Sequence, residues 1–442
     1  MRKPTENIQN FSKRRRRLAE KIGGSALIVS AAPETYRNSD VHHYYRQDSN
    51  LYYLTGFEEP ESILLFRPGM TPEAVMFVRT KNRERETWDG FRYGPDGVEN
   101  EFGIEKCYPI EEFEKVSVEL LKGVDQLYYR FYKNPEVDHK VQNILESLSR
   151  SQGRSGFGLL TVADADELLG EMRVIKTDDE LSSLRTACEI GGDIHRELMR
   201  KTKPGMNERE LHGFFIYETM RRGCAREGYG GIFASGSAAT TLHYVFNDQT
   251  LKTGDLMLID AGCEYNYFTS DITRTFPING KFTDEQAEVY SGVLKIQKEL
   301  IEFVKPGVMF QELHDMGASL LTDLMLDLGL LSGRKDDIMK ANEHRKYYPH
   351  GIGHYLGMDV HDAGLYFHKR PKEPRGLQEN MVFTIEPGIY IPADDTSVAK
   401  NYRGIGIRIE DNIRVTMSGH ETLTGRAPKE MNELQSIIGS AT

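Results

Sequence analysis

Along the first third of the chain, short apolar runs alternate with amphipathic ones. Residues 26–31, 62–66, 74–78 and 126–129 are apolar runs of strand length. Residues 111–121 and 135–148 repeat their apolar positions at helical spacing. That alternation predicts an α/β domain. The polar stretch SQGRSG (151–156) reads as a break. Beyond it, residues 163–205 are mostly helical, with Asp178 or Asp179 as an N-cap and Leu181, Leu184, Ile190 and Ile194 on one face. A chain of 442 residues is too long for one typical core. We place a domain boundary near residue 174, giving an N-terminal domain over 1–174 and a C-terminal domain over 175–442.

The second domain contains an internal echo. KPGMNERELH (203–212) matches KPGVMFQELH (305–314) at six of ten positions, offset by 102 residues. In each copy Pro-Gly ends one helix and a new helix follows, predicted over 211–220 and 313–326. After each helix pair come strand-like runs that carry acids. LMLIDAG and TSDITRTF hold Asp260 and Asp271; NMVFTIEPG and GIRIEDNIRV hold Glu386 and Glu410. Asp260 thus corresponds to Glu386, and Asp271 to Glu410. A duplicated half-domain would bring four carboxylates to one shared seam.

Composition narrows the partners. The net charge is −11, and charged residues make up 28% of the chain, so a nucleic-acid surface is not expected and small or peptide partners are. The basic run at 14–17 reads as a solvated helix face. It precedes a short apolar run broken by Gly23 and Gly24, which reads as a first strand rather than a leader. No apolar run reaches membrane-spanning length, so no membrane partner is expected. Four scattered cysteines read as free thiols of a reducing compartment, which predicts a cytoplasmic protein.

Carboxylates placed among core-like strands need a counter-charge. YPHGIGHYLGMDVHDAG (348–364) supplies His350, His354 and His361. His350 and His354 are four apart, as in a helical zinc motif, but Gly351 and Gly353 lie between them and no Glu follows His350. Glycines at that spacing suit backbone that approaches a site closely. One His with four carboxylates is an oxygen-rich donor set, suited to harder divalent ions such as manganese. Five side chains suit two ions sharing carboxylates. Any one of these residues alone is ordinarily a turn former, a solvated acid, an acid paired with a cation such as Arg408, or a satisfied histidine. Their joint occurrence in duplicated strands is what points to a metal centre.

At these residues the chain resembles the metallopeptidase family with the pita-bread fold, which includes methionine aminopeptidase, prolidase and aminopeptidase P. The motif is an Asp, a second Asp eleven residues on, a His in HGIGHYLG, a Glu in IEPG and a Glu in RIED, filled by Asp260, Asp271, His354, Glu386 and Glu410. The resemblance implies an α+β catalytic domain with an internal pseudo-twofold. Creatinase shares that fold without the metal set. YYRQDSNLYYLTGFEEPES (44–62) resembles the N-terminal domain of bacterial-type aminopeptidase P, a domain that methionine aminopeptidase generally lacks.

The implied activity is hydrolysis of the Xaa-Pro bond of peptides with proline second, by a hydroxide bridging two Mn²⁺ ions. By resemblance, Asp260 helps hold the free amine and Glu386 also carries the proton. His361 hydrogen-bonds the carbonyl oxygen or the tetrahedral intermediate, while His243 and His350 line the proline side. Arg408 orients carboxylates or substrate, and Tyr390 lines the pocket. Trp88, in ETWDGFRYGPDG, is a contact residue at a subunit interface or near the site, in a homo-oligomer, dimer or tetramer. Two alternatives stand beside this reading. A prolidase would share the metals and differ in what receives the free C-terminus of proline. A metal-free pita-bread binding protein would be expected to lose ligands.

Overall fold

A computed structural model describes residues 6–156, 160–369 and 372–440. The chain divides into two compact units, one ending at Met172 and the other beginning at Arg173.

The first unit is built on a six-stranded sheet in the order Lys106–Pro109, Ala74–Val78, Ile63–Phe66, Ala26–Ser30, Gln126–Tyr128, Thr161–Ala163. Ile63–Phe66 runs antiparallel to both neighbours, and the other pairs are parallel. The strands at 63–66 and 74–78 are apolar at every position because both faces are covered. Phe113, Val137, Val141, Ile144 and Leu148 from the helices Phe113–Leu120 and Pro135–Ser155 pack against Ile28, Leu65 and Phe77. The helix expected to end before residue 151 continues through Ser155, so SQGRSG is no break. One internal glycine costs a helix only about 1 kcal/mol, which a long helix sustains.

The arginine run also departs from expectation. Arg14 and Arg15 are buried rather than solvated. Arg14 pairs with Glu6 at 2.7 Å and lies over the Tyr53 ring. Arg15 Nη1 donates to the Leu54 carbonyl at 2.7 Å, and Arg14 Nη1 donates to that of Tyr53 at 3.4 Å. Both carbonyls belong to the last turn of the helix Ser49–Thr55, whose terminal acceptors have no partner within the helix.

The second unit repeats one plan twice. In the first half, helices Asp178–Lys201 and Glu208–Arg221 precede the antiparallel strands Ile232–Ser235, Leu256–Asp260 and Thr273–Pro277. In the second, helices Asp284–Phe303 and Phe310–Asp327 precede the antiparallel strands Val382–Ile385, Asp411–Val415 and His420–Thr422. The helix starting at Asp178 is capped by Thr177, not by either aspartate, because Glu180 completes a capping box and accepts from the Thr177 N–H at 3.0 Å. The antiparallel pair Leu256–Asp260 and Thr273–Pro277 is matched by Val382–Ile385 and Asp411–Val415, while the third strand joins Leu256–Asp260 in the first sheet and Asp411–Val415 in the second. The Glu410 N–H donates to the Thr273 carbonyl at 3.1 Å and joins the halves at their seam. This is the pita-bread fold, and its duplication agrees with the echo in the sequence.

Candidate active site

All four acids stand at strand ends. Asp260 closes its strand, Asp271 lies just before Thr273–Pro277, Glu386 follows Ile385 and Glu410 precedes Asp411. The expectation that Asp271 sits within a strand is corrected: the backbone leaves the ladder there. The Asn412 side chain takes up its polar groups, accepting from the Asp271 N–H at 3.0 Å and donating to its carbonyl. Two glycines permit the close approaches that shape the site. A Cβ on Gly262 would lie 1.8 Å from the Ser270 carbonyl oxygen, and one on Gly353 would lie 1.9 Å from that of Thr384.

Asp260, Asp271, His354, Glu386 and Glu410 all line one cavity of about 520 Å³, together with His243, His350, His361 and Arg408. One donor atom each from Asp271, His354 and Glu410 lie within 4.8 Å of one another. His354 Nε2 is 3.4 Å from Asp271 and 3.5 Å from Glu386. Its Nδ1 is 3.1 Å from the Tyr355 carbonyl, so Nδ1 is the donor there and Nε2 faces the carboxylates. Tyr390 does not line the cavity itself. Its hydroxyl donates to His350 Nε2 at 2.8 Å and accepts from Arg408 Nη1 at 2.9 Å. Arg408 Nη2 reaches Asp260 at 2.6 Å, so this arginine pairs with Asp260 and not with Glu410 two residues on. Trp88 belongs to the first unit, where it is 83% exposed on the helix Arg83–Asp89, and it is not among the lining residues.

Three hydroxyls that the sequence reading missed orient the acids. Tyr229 donates its hydroxyl between Asp260 at 2.6 Å and Asp271 at 2.5 Å. Thr273 donates to Glu410 at 2.6 Å, and Thr384 to Glu386 at 3.2 Å. Thr273 and Thr384 carry no recognisable spacing, but each faces an acid across or beside the seam. The tyrosine's only sequence signal was its place in the glycine-rich REGYGG.

The loop bearing His361 is held from behind. Asp362 is buried between Arg173 and Lys176, with Lys176 Nζ at 3.0 Å, and Arg173 also reaches Asp359 at 2.6 Å. The neighbouring His361 ring lies 4.3 Å, centroid to centroid, from that of His354.

Electrostatics tests whether the donor set fits a cation. Burial pushes the carboxyl groups of Asp260, Glu386 and Glu410 above their ordinary range, Glu386 to about 7. Repulsion from Asp271 adds to this in each case. Burial lowers the His354 pKa, yet Asp271 and Glu386 outweigh it and hold the imidazole at about 9. Four carboxylates thus share Arg408 and one histidine. A divalent cation among oxygen donors would relieve that excess of negative charge, and the residues fit such an ion.

Comparisons with known proteins agree with this picture. The chain belongs to metallopeptidase family M24, whose family model matches residues 182–417. Residues 11–128 match the aminopeptidase P N-terminal domain. The chain is 38% identical to the Xaa-Pro aminopeptidase of Escherichia coli K12, covering 98% of both chains. It is 36% identical to human Xaa-Pro aminopeptidase 3, covering 94% of this chain and 81% of the relative. Among solved structures, Pseudomonas aeruginosa aminopeptidase PepP superposes with a TM-score of 0.94 at 39% identity, over 98% of both chains. Zinc-substituted E. coli aminopeptidase P in complex with product gives 0.92 at 37% identity, again over 98% of both.

Proposed function

We propose that this chain is a metal-dependent aminopeptidase that hydrolyses the Xaa-Pro bond and releases the N-terminal residue from peptides whose second residue is proline. The observation that carries the reading is the buried excess of carboxylate around one cavity, in an M24 chain with an aminopeptidase P-type N-terminal domain. Asp260, Asp271, His354, Glu386 and Glu410 would hold two divalent ions, manganese by the hardness of the donors. Ions bound there would acidify a water and polarise the scissile carbonyl.

The chain's own groups do the rest. Glu386 takes up the proton of the attacking water and returns it to the proline nitrogen. His361 donates to the oxygen on which charge develops. His243 and His350 line the proline side, and the Arg408–Tyr390–His350 relay fixes that wall. Proline lacks an amide N–H and has a fixed φ, so a pocket selects it by shape rather than by a donor. The four free cysteines, all buried, support a cytoplasmic setting. Trp88, on a helix with no buried residue, supports a homo-oligomer, dimer or tetramer.

The test is hydrolysis of an Xaa-Pro-Yaa tripeptide beside the Xaa-Pro dipeptide and an Xaa-Ala-Yaa control, after chelation and again after Mn²⁺ is restored. Manganese-dependent release of Xaa from the tripeptide, with weak action on the others, is the expected result. Preference for the dipeptide would make the enzyme a prolidase, and absence of both cleavage and metal binding would favour a binding protein.

A further inference from the structure

The cavity has an apolar part to its lining that the chemistry leaves unused. Opposite in character to the acids, its apolar lining consists of Ile232, Leu242, Val245 and Val360. Val245 is 61% exposed, and the next residue, Phe246, is 73% exposed. They are the one pair of consecutive, exposed, large apolar side chains among the described residues. Holding such a pair in water gives the folded chain nothing unless something covers it.

Their exposure is not that of a loose loop. The residues on either side are tied down by buried polar groups. Tyr244, nearly buried, donates to Glu208 at 2.9 Å, and Glu208 is itself fully buried. Asn247, also buried, adopts a positive φ of 47°. Its side chain donates to the Gly231 carbonyl at 2.9 Å and accepts from the Phe233 N–H at 2.9 Å. Phe246 packs its ring 6.1 Å from that of Tyr244. The segment 244–247 is therefore clamped at both ends, and its two middle side chains are held outward.

The direction of the wall says what would cover it. His243 and Val245 both line the cavity, while Tyr244 between them turns down to Glu208. Val245 lines the cavity yet is exposed, so it stands at the cavity mouth, on the same segment as His243. We infer that Val245 at the cavity mouth, extended outside the lining by its exposed neighbour Phe246, forms an apolar lip that receives the side chain following proline, so that the enzyme prefers Xaa-Pro-Yaa peptides in which Yaa is large and apolar. This rests on the proposed Xaa-Pro activity and adds a third determinant to it. A partly open apolar site discriminates by about tenfold, the low end of what hydrophobic pockets achieve.

The experiment compares kcat/KM for one Xaa-Pro series in which Yaa is Leu, Ser or Asp, on the manganese-loaded enzyme. It then repeats the series with Val245→Ser, Phe246→Ser and the double variant. Binding of the product dipeptides Pro-Leu and Pro-Asp, read by calorimetry, gives a readout apart from turnover. The expected result is a Leu-over-Asp preference of about tenfold in both measurements, falling to about twofold or less in the double variant. Both substituted side chains are exposed, so folding is not at stake, and the wild-type series stands without any variant. Equal cleavage of all three peptides by the wild type overturns the inference while leaving the Xaa-Pro activity intact. A preference that survives the double variant also overturns it. Cleavage of none of the three removes the underlying activity and the inference together.

Discussion

Glu410 and Asp411 are neighbours in the chain and almost equally buried, at 2% and 0% exposure, yet their surroundings are opposite. Asp411 is met by Arg274 at 2.6 Å and Lys429 at 2.7 Å, and accepts from Thr424 and Gln297 as well. Burial works against its charge, but these partners win and hold its pKa well below the ordinary carboxylate range. Glu410 faces Asp271, Glu386 and Asp260, and burial together with that repulsion drives its pKa well up. Burial alone therefore says little about a carboxylate. The count of opposite charges around it separates a closed structural ion pair from a site that needs a cation supplied from outside.

The largest effects are expected when each acid is replaced in turn and unfolding of the metal-free protein is measured. Asp411→Ala strands Arg274 in the core and should cost about 3–5 kcal/mol, read by denaturant or thermal unfolding. Glu410→Gln removes surplus negative charge and should leave the metal-free protein as stable as the wild type or more so. Similar losses from both substitutions would mean that the two acids do the same structural work.

A smaller effect is expected at Tyr229, which holds Asp260 and Asp271 in one orientation. Tyr229→Phe should weaken divalent-metal affinity by about 10–100-fold, the usual range for groups that orient ligands, as read by titration with Mn²⁺. Unchanged affinity would show that the two aspartates need no such brace. Next comes Arg173→Met, which loosens the support of the His361 loop. It should lower kcat by about tenfold with little change in KM or in metal content. A change confined to KM would place the loop in binding instead.

The smallest effect is in the pH dependence of stability, and its sign separates the two clusters. Glu386 is held up at about 7 and His354 at about 9, so both bind a proton more tightly in the folded chain than in the unfolded one. Their stabilisation of the metal-free protein is full below the ordinary glutamate and histidine ranges. It is lost as the pH rises through about 7 for Glu386 and about 9 for His354. Asp411 acts in reverse, contributing at neutral pH and losing its contribution only in strong acid. Thermal unfolding of metal-free protein from about pH 6 to 9 should therefore show a falling Tm, less steep in Glu386→Gln. A Tm that rises over that window would contradict the assignment.

Much of this was legible in the sequence because it is carried by pattern. The strand runs of the first unit, the duplicated halves and the five donors all appear as spacing, and spacing survives without coordinates. What stayed hidden depends on distance in space. Tyr229, Thr273 and Thr384 matter through single hydroxyls aimed at acids up to 137 residues away, as between Thr273 and Glu410. Arg14 and Arg15 looked solvated because a basic run usually is. Their burial follows from orphan carbonyls at the end of a helix some forty residues on, with Arg15 and Leu54 separated by 39 positions. The N-cap at Thr177 was readable as Thr-Asp-Asp-Glu, but two adjacent aspartates competed with it as capping residues.

The carboxylate cluster is proposed to be built around divalent ions. Its most direct test is calorimetric titration of the metal-stripped protein with Mn²⁺, with metal content per chain measured on the saturated sample. Saturable binding of two ions per chain is expected, lost stepwise when Asp271 or Glu410 is replaced by Asn or Gln. Absence of saturable binding to the wild-type chain, or binding that survives both replacements, would contradict it.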